Sequence, residues 1–301
     1  MDVALSEEVR TARTLGLPLV ALESSVLAQG LPYPENLTSQ RACEAAVRGA
    51  GAVPAMVAMV RGRLCCGLSP EAVESLAKGE GQPRKVGARD LAPALAARAS
   101  GGTTVSATCA VAGALGLGVF ATGGIGGVHP GGMGDVSEDL HALSRFRGMV
   151  VCAGAKSVLD LPRTLEALES LGVLVVGHRT AEFPAFYTPT SGLPLSHHVE
   201  DAAAAAELLR LHRDVLQQPG ALLLCVPPPP EAALGAAELQ VALRAAHGAA
   251  ETRGISGQAL TPFLLRHLAA ATGGRALRAN LALLEQNARV AAEVAVAYAR
   301  C

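Results

Sequence analysis

The sequence predicts one α/β domain with a mostly parallel central sheet covered on both faces, and three observations carry that expectation. Short apolar runs alternate with stretches of helical period from one end to the other. No shift in composition divides the chain, so residues 1–301 read as a single domain. The unusual polar residues collect where the apolar runs stop, the place where ligands gather in parallel sheets. With 301 residues that are 50% hydrophobic, the chain can bury a large core.

Taken in order, residues 1–16 read as a helix through Ser6-Glu7-Glu8-Val9-Arg10, stopped by Gly16. Leu17 to Val26 follows as a strand that carries an acid, Glu23, in an apolar run. A buried carboxylate must be paired, hydrogen-bonded or protonated, so Glu23 marks either a structural ion pair or a site. Gly30 to Asn36 is a turn and Thr38 to Gly49 a helix. Val53 to Val60 and Leu64 to Gly67 are strands joined by the hairpin turn Arg61-Gly62-Arg63. Ser69-Pro70-Glu71 opens a helix with proline at its first position. Lys85 begins a short strand-like piece and, taken alone, reads as a surface lysine. Thr103 to Leu115 is a helix rich in small residues behind Gly101-Gly102, which suits close packing or a ligand at its N-terminus.

The densest chemistry lies between Val119 and Ser157. A short strand from Val119 leads into a loop with seven glycines between Gly123 and Gly134 and one histidine, His129. Glycine costs about 0.5–1 kcal/mol relative to alanine in regular structure, so such a loop is either a flexible turn or a backbone cradle for an anion. It is not a dinucleotide fingerprint, because His129 stands where the third glycine is required, and Gly154-Ala155-Lys156-Ser157 lacks the glycines of a triphosphate loop. Asp135-Val136-Ser137-Glu138 fits a helix cap with an acid at the third helical position, which leaves Asp135 as cap or as ligand to a hard cation. Gly148 to Ala153 is a buried strand that delivers Lys156 at its end. A helix from Leu161 to Leu171, a strand from Val173 to Gly177 and a loop from Glu182 to Gly192 follow. That loop holds three of the eight aromatic residues. Helix Asp201 to Gln217, strand Ala221 to Val226, the breaker Pro227 to Pro230 and helices Glu231 to Arg253, Thr261 to Ala271 and Ala276 to Arg300 complete the chain.

Composition excludes several classes of function. Aromatic content of 3%, no Trp and a net charge of −1 argue against a nucleic-acid surface and for a small ligand. Seven cysteines, with no C-x-x-C pair and no histidine at zinc-ligand spacing, suit reduced thiols and a cytoplasmic location. The acidic N-terminus matches neither a secretory nor a transit peptide. From Ala99 to Gly134 no residue is charged, yet a helical half followed by a strand and glycine loop reads as buried core rather than a membrane span.

Eight stretches carry a resemblance. They are Ala21-Leu-Glu-Ser-Ser25, Gly30-Leu-Pro-Tyr-Pro34, Gly51-Ala-Val-Pro-Ala55, Phe120-Ala-Thr-Gly-Gly-Ile-Gly-Gly-Val-His129, Cys152-Ala-Gly-Ala-Lys-Ser157, Glu182-Phe-Pro-Ala-Phe-Tyr187, Thr261-Pro-Phe-Leu-Leu265 and Ala279-Asn280. In order and over nearly the whole chain, they resemble the pseudouridine-5′-phosphate glycosidases, also called the indigoidine synthase A-like family. The resemblance implies a layered α/β/α fold, a homotrimer, and a divalent metal, usually manganese. The implied reaction is reversible cleavage of the C-glycosidic bond of pseudouridine 5′-phosphate to uracil and ribose 5-phosphate. By the same resemblance Lys156 is the nucleophile, Glu23 the proton donor and Asp135 the metal ligand. Substrate contacts fall on Lys85, Val105, Ser137, Glu138 and Asp139, with Thr122, His129 and Asn280 as further pocket candidates.

The chemistry explains the residue types. The bond from C1′ to uracil C5 has a carbon leaving group, so protonating a leaving oxygen or nitrogen is no help. An amine that forms an imine at C1′ lets the bonding pair return to the uracil ring. The sequence departs from the family pattern at Gln29, where His is usual, at Gly87-Ala88, where Ser-Arg is usual, and at Pro130, where Arg commonly follows the histidine. Two other readings stand beside the leading one: a Schiff-base lyase or C-glycosidase on a related sugar phosphate, and a catalytically silent binding protein of the same fold.

Overall fold

The computed structural model describes residues 1–130, 134–255 and 260–301, and the side chains of residues 261 and 262 lie outside it. Part of the glycine-rich loop and the Thr261-Pro262 pair of the sequence pattern therefore fall outside the described residues. The strands are β1 (Ala4–Leu5), β2 (Leu19–Leu22), β3 (Val53–Val60), β4 (Arg63–Cys66), β5 (Arg84–Val86), β6 (Gly101–Thr103), β7 (Val119–Ala121), β8 (Met149–Cys152), β9 (Leu174–His178), β10 (His198–Val199) and β11 (Leu222–Cys225). The helices are α1 (Glu7–Thr14), α2 (Glu35–Gly49), α3 (Pro70–Ala77), α4 (Leu91–Ala96), α5 (Val105–Ala114), α6 (Glu138–Leu143), α7 (Leu161–Ser170), α8 (Ala202–Arg210), α9 (Ala236–Thr252), α10 (Leu260–Ala271) and α11 (Arg275–Tyr298).

All the strands join one sheet in the order β1-β4-β3-β2-β7-β8-β11-β9-β10, with β5 attached through β6 to β3. Only the β3–β4 and β3–β6 pairings are antiparallel; the others are parallel, as the alternation of strands and helices predicts. Every residue of β7, β8 and β11 is buried, the signature of strands covered on both faces. The long helix α11 packs on β2, β7 and β8 and against α2, while α5 packs on β2 and β3. The expected mixed α/β fold with a mostly parallel central sheet is what the chain adopts.

Local departures from the sequence reading have physical causes. The second strand ends at Leu22, not Val26, and Val26–Gly30 winds into a π-helical turn. The Ser24 hydroxyl donates to the Val57 carbonyl at 2.6 Å and accepts from the Thr103 amide, which fixes the chain where it leaves the sheet. Gly101 and Gly102 form β6 instead of a helix lead-in. A Cβ on Gly102 would lie 2.4 Å from the Ser24 carbonyl oxygen, so only glycine lets this strand approach the bend. Helix α8 stops at Arg210 and passes into a π turn, Leu211–Val215, and α9 begins five residues later than Glu231, at Ala236.

Candidate active site

The site is built from four strand ends. Leu22 pairs with Ala121, so the next residues, Glu23 and Thr122, fall side by side beyond the carboxyl ends of β2 and β7. One oxygen of the Glu23 carboxylate accepts from the Thr122 hydroxyl and the other from the Ser25 hydroxyl. The acid is 7% exposed and has no basic partner among the described ion pairs, so the structural ion-pair reading of Glu23 is replaced by hydrogen bonding to two hydroxyls.

Past β7 and β8 the two chains run on together. The Ala153 amide donates to the Gly123 carbonyl at 2.9 Å, Ile125 to Gly154 at 3.0 Å, and Lys156 to Ile125 at 3.2 Å. This extension carries Lys156 into the same cleft as Glu23. Gly154 takes φ of 80°, and a Cβ there would strike the Pro184 carbonyl oxygen at 2.3 Å, so the turn that aims Lys156 requires glycine. Lys85, on β5, enters from the far side through the pairing of β5 with β6. Burial pushes its ammonium pKa down and the nearby Lys156 adds to the shift, against the pull of Asp139, Glu23 and Asp90.

The carboxylates of α6 have different jobs. Asp139 is buried and accepts from the Ser106 amide at 3.0 Å and the Gly126 amide at 2.9 Å, tying the start of α5 to the glycine loop. Glu138 accepts from the Arg89 amide at 2.8 Å and the Ser106 hydroxyl at 3.2 Å. Ser137, not Asp135, caps α6. Asp135 instead stands opposite His129 in a small hairpin, closed by the Val128–Val136 bridge and by the His129 amide on the Asp135 carbonyl at 2.9 Å. Its exposed carboxylate has no hydrogen-bond or ion-pair partner among the described residues and lines the cleft. Burial pushes the His129 ring pKa down against the pull of Asp135, and its buried Nδ1 has no partner among the described residues.

Glu23, Lys85, Val105, His129, Asp135, Ser137, Glu138, Asp139 and Lys156 thus line one cleft of about 280 Å³. Thr122 reaches it only through its hydrogen bond to Glu23, and Asn280 is buried in α11 outside the cleft lining. Two turns further along α11, Asn287 donates to the Thr122 carbonyl at 2.9 Å and the Gly123 carbonyl at 3.3 Å. Sequence reading missed Asn287, although an amide on the apolar face that also carries Leu283, Leu284 and Ala291 was the available signal. It also missed Ser25, Ser106 and Arg89, which line the cleft. Of the departures from the family pattern, Gln29 donates to the Pro83 carbonyl at 2.6 Å, outside the cleft lining. Gly87 is in the lining, and a Cβ there would meet the Glu138 carboxylate at 2.6 Å.

Among the described residues no set of three or more His, Cys, Asp or Glu side chains could hold a metal. One free carboxylate at the mouth of a cleft does fit a hard divalent cation that keeps most of its waters and takes its remaining ligands from substrate.

A buried acid, two lysines and an exposed carboxylate in one cleft at the carboxyl ends of β2, β7 and β8 define an α/β protein of the class that handles small anionic ligands there. The chain belongs to the indigoidine synthase A-like family, whose sequence model it matches over residues 8–297. It is 54% identical to a pseudouridine-5′-phosphate glycosidase of Myxococcus xanthus, covering 100% of this chain and 99% of the relative. A protein of the same name from Chloroflexus aurantiacus is 50% identical over 97% of each chain. Among solved structures, the prealnumycin C-glycosynthase AlnA in complex with ribulose 5-phosphate superposes with a TM-score of 0.90 at 37% identity, covering 99% of this chain and 97% of that one. An indigoidine synthase A-like protein of Thermotoga maritima superposes with a TM-score of 0.88 at 33% identity, covering 98% and 95%.

Proposed function

We propose that the chain is a pseudouridine-5′-phosphate glycosidase, which reversibly cleaves the bond between ribose C1′ and uracil C5 to give uracil and ribose 5-phosphate. The observation that carries the reading is the convergence of Glu23, Lys85 and Lys156 in one cleft, and the high full-length identity to relatives of that name supports the substrate. Lys85 and the glycine-loop amides bind the phosphate and orient the sugar. Glu23 gives its proton to the ring oxygen O4′ as the C1′–O4′ bond breaks, and the Lys156 nitrogen bonds to C1′. The Glu23 carboxylate takes back a proton from the Lys156 nitrogen, now bonded to C1′, and passes it to uracil C5. The C1′–C5 pair returns to the uracil ring, the nitrogen lone pair forms the C1′ imine, and water hydrolyses the imine to release ribose 5-phosphate and the free lysine. Asp135 would hold the divalent ion, manganese by the family resemblance, which supplies charge neutralisation for bound oxygens. The reading extends to a homotrimer in the cytoplasm; sedimentation tests the trimer, and no helix among the described residues is long and apolar enough to cross a membrane.

The deciding experiment incubates ribose 5-phosphate, uracil and manganese with wild type and Lys156→Ala, with borohydride to trap the imine. Pseudouridine 5′-phosphate from wild type alone, with a ribose-phosphate adduct on Lys156, is expected. An adduct without that product moves the assignment to a Schiff-base enzyme for a related sugar phosphate, the reading favoured by the likeness to AlnA. Neither adduct nor product overturns the enzyme reading and leaves a silent binding protein.

A further inference from the structure

At the opposite end of the sheet from the catalytic cleft lies a second cavity, of about 420 Å³, beneath the residues that lead into β7 and β8. Arg145, Arg147 and Arg213 line it together with one carboxylate, Asp214. None of the three arginines forms an ion pair among the described residues. Asp214 is already engaged, accepting from the Tyr298 hydroxyl at 2.7 Å.

The guanidinium groups are placed, not merely present. Arg213 donates one Nη2 hydrogen to the Gly116 carbonyl at 2.9 Å, just beyond the C-terminus of α5, and its guanidinium lies over the Tyr298 ring, 5.9 Å from the centroid. Arg147 donates to the Arg213 carbonyl at 3.0 Å. A Cβ on Gly118 would sit 2.0 Å from Arg213 Nη1, so this seat exists only because residue 118 is glycine. Covering one helix terminus needs one cation, and Arg213 meets that need with one of the five N–H donors a guanidinium carries. The remaining donors of Arg213 and Arg147 and the whole of Arg145 have no ion-pair partner among the described residues. Three cations against one carboxylate in a concave site match a dianion with several acceptor oxygens.

We propose that this arginine cavity is a second anion site, which binds a phosphate group as inorganic phosphate or a phosphomonoester, separate from the catalytic cleft. Calorimetric titration of the full chain with inorganic phosphate at fixed ionic strength tests it. Wild type should show two classes of site. Lys85→Met should remove the one in the catalytic cleft, and Arg145→Gln/Arg147→Gln the other, weakening its Kd by roughly ten-fold or more. Gly118→Ala should weaken the same second class while keeping every charge, and its added methyl meets only the mobile end of Arg213 and the edge of the Tyr298 ring, so the fold survives. Parallel titrations with ribose 5-phosphate separate a phosphomonoester site from one for free phosphate. A single Lys85-dependent class, or a second class unchanged in both arginine-cavity variants, overturns the proposal. So does preference for succinate over phosphate. If the second class is missing and the arginine variants instead change the sedimentation of the protein, the surface is a subunit contact and the proposal also falls.

Discussion

At the scale of single residues, the roles of Glu23 and Lys85 separate by what each touches. Glu23 accepts from two hydroxyls in a buried place, an arrangement that holds its oxygens at a fixed point while leaving no cation to quench the acid. Glu23→Gln should therefore lower kcat by roughly 10²- to 10⁴-fold, the usual worth of a positioned acid, with little change in melting temperature. Normal turnover with a lowered melting temperature would return Glu23 to a structural role. Lys85 is different because its burial is electrostatically costly: its folded-state pKa lies below the ordinary lysine value of 10.5. The unfolded chain then binds more protons, so stability attributable to this side chain rises with pH between the folded and unfolded values. Below the folded-state value the full penalty is present. Lys85→Met should raise the melting temperature at neutral pH, with the gain shrinking as the pH climbs toward 10.5, while KM rises about ten-fold or more through loss of a charged contact. A variant that melts lower at neutral pH would refute the burial argument.

At the scale of elements, what was legible depended on whether the signal was local. Strands β3 and β8, helix α7 and the proline start of α3 follow from apolar runs and caps, which neighbours in sequence determine. Strand β6 was missed because its two glycines have no strand propensity; they are there to let Ser24 and Arg84 come close, a fact that belongs to the partners. The same holds for Asp135, where the acid three residues on pointed to a cap but the Ser137 hydroxyl took the place. Lys85, a plain surface lysine by its own surroundings in sequence, entered the site only through the family resemblance and the β5–β6 pairing. Asn287 shows how an element can reach the site without lining it. Its amide holds the two carbonyls that follow β7, and so fixes the Thr122 hydroxyl on Glu23. Asn287→Leu would leave the Thr122 carbonyl without this donor, while Gly123 keeps the Ala153 amide, at a cost of about 1–3 kcal/mol in denaturant unfolding. Because Thr122 then loses its seat, kcat should fall more than KM changes. Wild-type stability in this variant would mean that α11 is held by packing alone.

At the scale of the whole molecule, the site and the core draw on different parts of the chain. The core runs through the central strands and α11, whereas Asp135 is exposed, next to the Val128–Val136 bridge, with its carbonyl accepting from the His129 amide. Its carboxylate caps no helix, since Ser137 does that, and it forms no ion pair among the described residues. A divalent ion held there by one protein oxygen would bind weakly and add little to folding, because its stabilisation depends on its concentration relative to a high Kd. In the proposed reaction such an ion would neutralise charge on substrate oxygens that the two lysines do not reach. Chelation should thus abolish turnover and leave the melting curve in place, and restoring manganese should restore activity. Asp135→Ala should behave as chelated wild type does, folding normally but failing to respond to added metal. Full turnover in chelator would remove the metal from the reaction and leave Asp135 without a part in it, whereas a chelator-induced loss of folding would place the ion in the core and not beside Asp135.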